Sequence, residues 1–168
     1  MKRVWSLLVI CVLLMQLCGC GVYDIMTADS NAIDEMSEEI IRCLIEKDRE
    51  ALEAFFCQRV RSTEEFETQM DELYSFFDYD YFSRYDLNGD HAQSQTRETG
   101  KRVAWSVSAE ISYIEVGNED GTRFYRIEYD WTETYLQDTA LVGLHSISIQ
   151  LLNTDQVVTA GTDEYFPF

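Results

Sequence analysis

The stretch "KRVAWSVSAEISYIEVGNEDGTRFYRIEYDWT", residues 101–132, decides the fold. Val103, Trp105, Val107, Ala109, Ile111 and Tyr113 alternate there with Ala104, Ser106, Ser108, Glu110 and Ser112. Successive side chains of a strand point to opposite faces, so this period of two predicts a long strand with one apolar and one mostly polar face. "GNEDGT" at 117–122 gathers the residue types that tolerate tight reversals and reads as a hairpin loop. The return strand sets Tyr125, Ile127, Tyr129 and Trp131 against Arg126, Glu128, Asp130 and Thr132. On this reading Trp105, Tyr113, Tyr125, Tyr129 and Trp131 share the inward face. A third strand over residues 144–152 carries Ile147, Ile149 and Leu151, and "NTDQ" then turns the chain toward a short last strand at Val157 and Val158.

Upstream of the sheet the apolar spacing is that of helices. Ile33, Met36, Ile40, Cys43 and Leu44 fall three and four apart behind Asp29 or Ser30 as a cap. "KDREALEAFF" restarts at Asp48, a natural N-cap, and places Leu52, Phe55 and Phe56 inward. Ser62 with Glu65 forms a capping-box pattern ahead of a stripe of Phe66, Met70, Leu73 and Phe77. Helices followed by an antiparallel meander indicate an α+β domain, with the helices on one face of the sheet.

The amino-terminal segment gives an address. Lys2 and Arg3 precede an apolar run, residues 4–17, that is broken only by Ser6 and Gln16. A spanning helix needs roughly 20 apolar residues, so the run is short for one and fits the core of a secretory signal peptide. Leu17-Cys18-Gly19-Cys20 resembles the bacterial lipobox, in which cleavage precedes an obligatory Cys. Cys20 is then the lipid attachment site and the mature N-terminus, held at the membrane by its acyl chains. The expected organisation is a lipoprotein signal peptide over 1–19, a lipidated N-terminus and short linker over 20–28, a single α+β domain over 29–160, and a tail over 161–168. The expected location is the extracytoplasmic face of the cell membrane.

Charge narrows the partners. The chain holds 31 acidic and 13 basic residues; removing residues 1–19 takes Lys2 and Arg3 and no acid, leaving a formal charge of −20. Such a field repels nucleic acid and anionic headgroups, so nucleic acid is excluded and the domain stands off the membrane on its tether. With 46% hydrophobic residues and many aromatics, a real core is expected. Cys43 and Cys57 lie among apolar neighbours and read as buried free thiols, with a disulfide as the alternative in an exported chain. CxxC, HExxH, GxSxG and phosphate-binding glycine loops are absent from the sequence, and no cofactor is assigned.

The lipobox, "EEIIRCLIEKDREALEAFF", a third helix ending in "FFDYDYFSRYD" and a hairpin closing on "GLHSISIQ" together resemble an uncharacterised Gram-positive lipoprotein family, a domain of unknown function. The likeness covers roughly residues 29–152. It implies a nuclear transport factor 2-like, or cystatin-like, fold: a curved antiparallel sheet wrapped about a helix, with a cone-shaped pocket. It implies no activity, because that fold serves enzymes, binders and assembly modules alike.

Three functional classes follow. The first is a non-enzymatic binding or protein-interaction module that holds a small ligand or an envelope protein. Trp105, Tyr113, Tyr125, Tyr129 and Trp131 are then pocket lining, or else plain core. The outer face with Arg126, Glu128, Asp130 and the serine row is polar, so a homodimer through it is wet and weak. The second class is a ketosteroid-isomerase-like enzyme with a carboxylate base, for which Asp78, Asp80 or Asp86, Tyr79 and Tyr81 as oxyanion donors, or His145 are the available groups. The third is a metal loop, "DLNGDH". Asp86, Asn88 and Asp90 take positions 1, 3 and 5 of an EF-hand-like pattern, but His91 stands where Gly is needed and Arg97 where the bidentate Glu belongs. An ordinary Asn-Gly turn explains the same residues, so no catalytic residue and no metal are assigned.

Overall fold

The computed structural model describes residues 27–87 and 89–167, and the chain divides into two compact units, Met1–Met36 and Ser37–Phe168. In the first unit the described residues 27–36 are helical. The second opens with helix α1 (37–46), followed by α2 (Arg49–Phe55), a single turn α3 (Gln58–Arg61) and α4 (Phe66–Phe76). Strands β1 (Tyr81–Asp86), β2 (His91–Glu98), β3 (Lys101–Asn118) and β4 (Gly121–Tyr135) come next, then a 3₁₀ turn (Thr139–Leu141), β5 (Gly143–Leu151) and β6 (Val157–Gly161). The architecture is α+β, with helices on the amino-terminal side of an open antiparallel sheet.

The sheet runs β1-β3-β4-β5-β6, with β2 also paired to β3. β1 takes the half of β3 around Tyr113–Gly117 and β2 the half around Lys101–Ala109, so the two follow one another along a single edge. Neither β1 nor β2 is expected from the sequence, and the reason is visible in their burial. All eight residues of β2, "HAQSQTRE", are exposed, so no apolar face imposes an alternation. What fixes β2 is its turn: Glu98 pairs with Lys101 while Thr99 and Gly100 take φ of 49° and 81°, the left-handed pair that matches strand twist in a two-residue hairpin.

Extra residues interrupt the ladders repeatedly, and each bulge bends its strand and increases the local twist. Ile111 pairs with Ile127 and Ile114 with Tyr125, so Ser112 and Tyr113 together oppose one residue of β4. Beyond that bulge the buried positions of β3 shift from odd to even numbers, to Ile114 and Val116. Tyr113 therefore does not share the inward face with Trp105; the inserted residue has turned it to the other side. Other bulges fall between Trp105 and Ser106, where Glu133 is extra, and between Asp130 and Trp131, where His145 is extra.

The helices cover the apolar face. Leu52, Val60, Met70, Leu73, Ile111, Ile127, Ile147 and Ile149 are all fully buried. Each such aliphatic side chain contributes about 1.5–3 kcal/mol relative to exposure. Tyr125 donates to the Phe76 carbonyl at 3.2 Å, and the Tyr129 hydroxyl lies 2.8 Å from Ser37 Oγ. Asp48 caps α2 as its sequence indicates, accepting from the Ala51 amide at 3.1 Å. The expected capping box does not form. Ser62 instead donates to the Gln58 carbonyl at 2.8 Å, because the unforeseen turn α3 places that acceptor within its reach. Arg49, paired with Glu53 of its own helix, links α2 to α4 through Glu67 and Asp71.

Close approach also joins sheet and helices. Cys57 donates its amide to the Leu144 carbonyl at 2.8 Å, and the Gly161 amide donates to Gln69 Oε1 of α4 at 2.9 Å. Gly161 has φ of 88°, and a Cβ there would stand 2.1 Å from the His145 carbonyl oxygen. Gly100 has φ of 81° with nothing within 4 Å of such a Cβ. Gly100→Ala should therefore cost only the left-handed penalty of roughly 1 kcal/mol, whereas Gly161→Ala should cost clearly more, about 2–4 kcal/mol. Urea midpoints of the two variants check the difference, and equal midpoints would refute this account of the β5–β6 contact.

Candidate functional site

The inward aromatics are packed. Trp105, Tyr125, Tyr129 and Trp131 are 1–7% exposed. The Trp105 and Trp131 rings meet edge-on with centroids 5.5 Å apart, and the Tyr125 ring lies 5.0 Å from Phe77 and 5.9 Å from Phe76. Trp105 donates its indole N–H to Gln93 Oε1 at 2.9 Å, and the Arg102 guanidinium stacks 4.4 Å from its ring. Tyr113 is half-buried on the opposite side, between the Arg84 guanidinium and Phe124 at 5.3 Å each. Cys20 lies outside the described residues.

The carboxylates proposed for catalysis are on the surface. Asp78, Asp80 and Asp86 are exposed, and Asp80 Oδ2 accepts from the Glu119 amide at 2.9 Å. The Tyr79 hydroxyl is held by the Ile45 carbonyl, while Tyr81 is 60% exposed with its ring over Gly117. Glu110, Glu128 and Asp130 stand on the outer face. Of the metal-loop residues, Asn88 lies outside the described residues. Gly89 presses against Glu110, whose carbonyl oxygen a Cβ would meet at 1.8 Å, and the Asp90 carbonyl accepts from the Glu110 amide at 3.0 Å. The segment thus carries the chain from β1 to β2 along the β3 edge. Among the described residues no group of three or more His, Cys, Asp or Glu is placed to hold a metal. Cys43 and Cys57 are buried free thiols, and burial raises the pKa of both.

Polar chemistry concentrates on the outer face. Asp130 accepts from Ser108 at 2.7 Å and from Ser146 at 2.8 Å, tying β3, β4 and β5 together. Ser106 and Thr132, both buried, share a hydrogen bond of 3.0 Å. Beside them opens a recess of about 300 Å³, lined by Ser94, Gln95 and Thr96 of β2, Ser106 of β3, and Tyr135 and Gln137, with Pro167 of the tail at its wall. A wider recess of about 670 Å³ lies between α3 and the tail, where Glu64, Glu65 and Tyr165 stand near Arg59, itself bonded to Asp138 at 2.8 Å. Neither recess contains the five aromatics singled out in the sequence. The signal for the first lies in polar β2 and in a tail far away along the chain, which no periodicity brings together.

His145 is the bulged residue of β5 and is fully buried. Its Nε2 donates to the Leu141 carbonyl at 2.9 Å, which leaves the neutral ring's Nδ1 buried with no partner among the described residues. The Phe166 ring packs 5.3 Å from it, and the Thr162 amide donates to its carbonyl at 2.8 Å. Burial lowers its pKa below the ordinary value near 6.5, against the opposing pull of the Leu141 carbonyl and the Asp130 charge. The unfolded chain therefore takes up a proton that the native chain resists. Stability is full above pH ~6.5 and is lost as pH falls through that value toward the lower native pKa. Acidification from about pH 7.5 to about pH 5.5 should lower the urea midpoint of the native chain, and His145→Gln should remove part of that drop. An undiminished drop in the variant would assign the effect to other groups.

The model of a family described as "Domain of unknown function (DUF5104)" matches residues 39–159. Comparison with curated proteins finds no match. The matched segment runs from α1 into β6 and takes in strands β1–β5, the Asp130 network and every residue lining the first recess except Pro167. With the greater part of its length so matched, the chain belongs to the DUF5104 family of domains of unknown function.

Proposed function

We propose that this protein is a lipid-anchored binding module on the extracytoplasmic face of the cell membrane, with a nuclear transport factor 2-like sheet as its frame. One observation carries the preference for binding over catalysis. Among the described residues of the second unit no Asp or Glu is buried, while the inward tyrosine hydroxyls are bonded to helix atoms. A ketosteroid-isomerase-like base needs a carboxylate in apolar surroundings, and these residues offer none. Recesses and a hydrogen-bonded polar face remain, which suit recognition of a ligand or of an envelope protein. The anchor rests on Leu17-Cys18-Gly19-Cys20 behind its apolar run; among the described residues no helix is long and apolar enough to cross a membrane.

Expression of the full chain and of Cys20→Ala in a bacterium that processes lipoproteins tests the anchor. The native chain should sediment with membranes and carry a diacylglycerol mass on Cys20, and the variant should lose that mass and move to the soluble fraction. A variant that still sediments after signal-peptide removal would refute lipid as the main anchor. Native mass spectrometry of the membrane-extracted chain tests the binding role. A reproducible non-lipid adduct or a protein partner is expected, and a bare monomer from several extractions would count against it.

A further inference from the structure

The recess beside Ser106 has a composition unlike the rest of the molecule. The chain carries 26% charged residues and a formal charge of −18, yet none of the nine residues lining this recess is Asp, Glu, Lys, Arg or His. On the side of Ser106 its polar groups are the hydroxyls of Ser94, Thr96 and Ser106, the Gln137 amide and the phenol of Tyr135, with Val103, Ala104 and Pro167 adding apolar surface. Gln95 pairs with Trp105 and so turns its amide to the other face, where it accepts from Arg97 at 3.3 Å. Ser106 is buried and held by Thr132, which gives the floor a fixed orientation, whereas Ser94, Thr96 and Gln137 are exposed at the rim.

These features select a ligand chemistry. An anionic ligand is opposed by the field of the whole chain, and a cationic one finds no carboxylate in the lining. A purely apolar ligand would strip water from hydroxyls and amides without replacing their hydrogen bonds. The fit is a neutral molecule whose own groups both donate and accept. Each lining hydroxyl or amide does the same, and a half-buried tyrosine ring offers a flat face to the C–H side of such a molecule. The volume of about 300 Å³ stands at the lower end of the range for small-ligand sites. An extended peptide would instead pair its backbone along the outer edge of β2 and would not need this recess.

Resting on the binding-module reading, we infer that the recess formed by β2, β3 and the segment after β4 is a saccharide-binding subsite for an uncharged mono- or disaccharide unit. Thr96 and Gln137 grip vicinal hydroxyls, Tyr135 stacks on the ring, and Ser106 marks the floor.

The test uses the full chain in a detergent without a sugar headgroup. Maltose, cellobiose and N,N′-diacetylchitobiose serve as neutral probes, with glucuronic acid as the anionic probe and a neutral Gly-Ser peptide as the peptide probe. Amide shifts in nitrogen-15 spectra give both affinity and location. At least one neutral saccharide should bind with a Kd of about 0.1–1 mM, with shifts centred on residues 94–106 and 135–137. The double variant Thr96→Ala with Gln137→Ala should weaken that binding by about tenfold or more, and Glu50→Ala on exposed α2 should leave it unchanged. Saturable binding of the peptide in place of the saccharides, or equal binding of glucuronic acid, would overturn the assignment. So would shifts that map elsewhere, or an affinity that ignores both substitutions. A chain that shows a native adduct or partner but no saccharide binding loses this subsite and keeps the binding role; a chain bare in both experiments loses both.

Discussion

Tyrosine hydroxyls buried between sheet and helices are the constraint around which the rest is arranged. Tyr125 needs an acceptor and finds the Phe76 carbonyl at the end of α4; Tyr129 finds Ser37 in α1; Tyr79 finds Ile45 at the end of the same helix. A buried hydroxyl left without a partner costs about 1–3 kcal/mol, so the helices cannot slide along the sheet without breaking one of these bonds. Apolar packing is non-directional and would tolerate several placements. The hydroxyls select one of them, and Gly143 and Gly161 then let the ends of β5 and β6 come against the helix backbone and His145.

The opposite face follows a different logic. Asp130 between Ser108 and Ser146, Ser106 with Thr132, and Ser148 with Thr159 at 2.8 Å form cross-strand pairs that satisfy one another. Such a face is poor material for a dry, obligate interface, because burying it would gain little apolar area. It is good material for a preorganised wet site, since its hydroxyls are already oriented by their neighbours. The absence of charge from the recess beside it, on a chain so acidic elsewhere, makes that recess electrically distinct from its surroundings.

The parts of the fold that were legible are those in which one face is buried. Trp105 to Ile111 and Tyr125 to Trp131 show their strand period because a helix layer rewards alternate apolar residues. Asp48 announces α2 because a cap needs a specific side chain at a specific place. β1 and β2 were not legible, since an edge strand exposed on both faces obeys no apolar alternation. Tyr113 was misassigned for a related reason. A bulge keeps the local composition and changes only the count of residues against the partner strand, so its effect on facing is invisible until the register is known.

The sequence alone determined the class of the fold, the order of the main helices and strands, the central hairpin and the strong acidic field, because each depends on neighbours along the chain. Tertiary structure alone decided which tyrosines became clasps, where His145 was buried and which side Tyr113 took. It also brought β2, the segment after β4 and the tail around one charge-free recess. Those outcomes depend on register and on contacts between residues tens of positions apart, and the free energy of such contacts belongs to the assembled pair rather than to either segment of sequence.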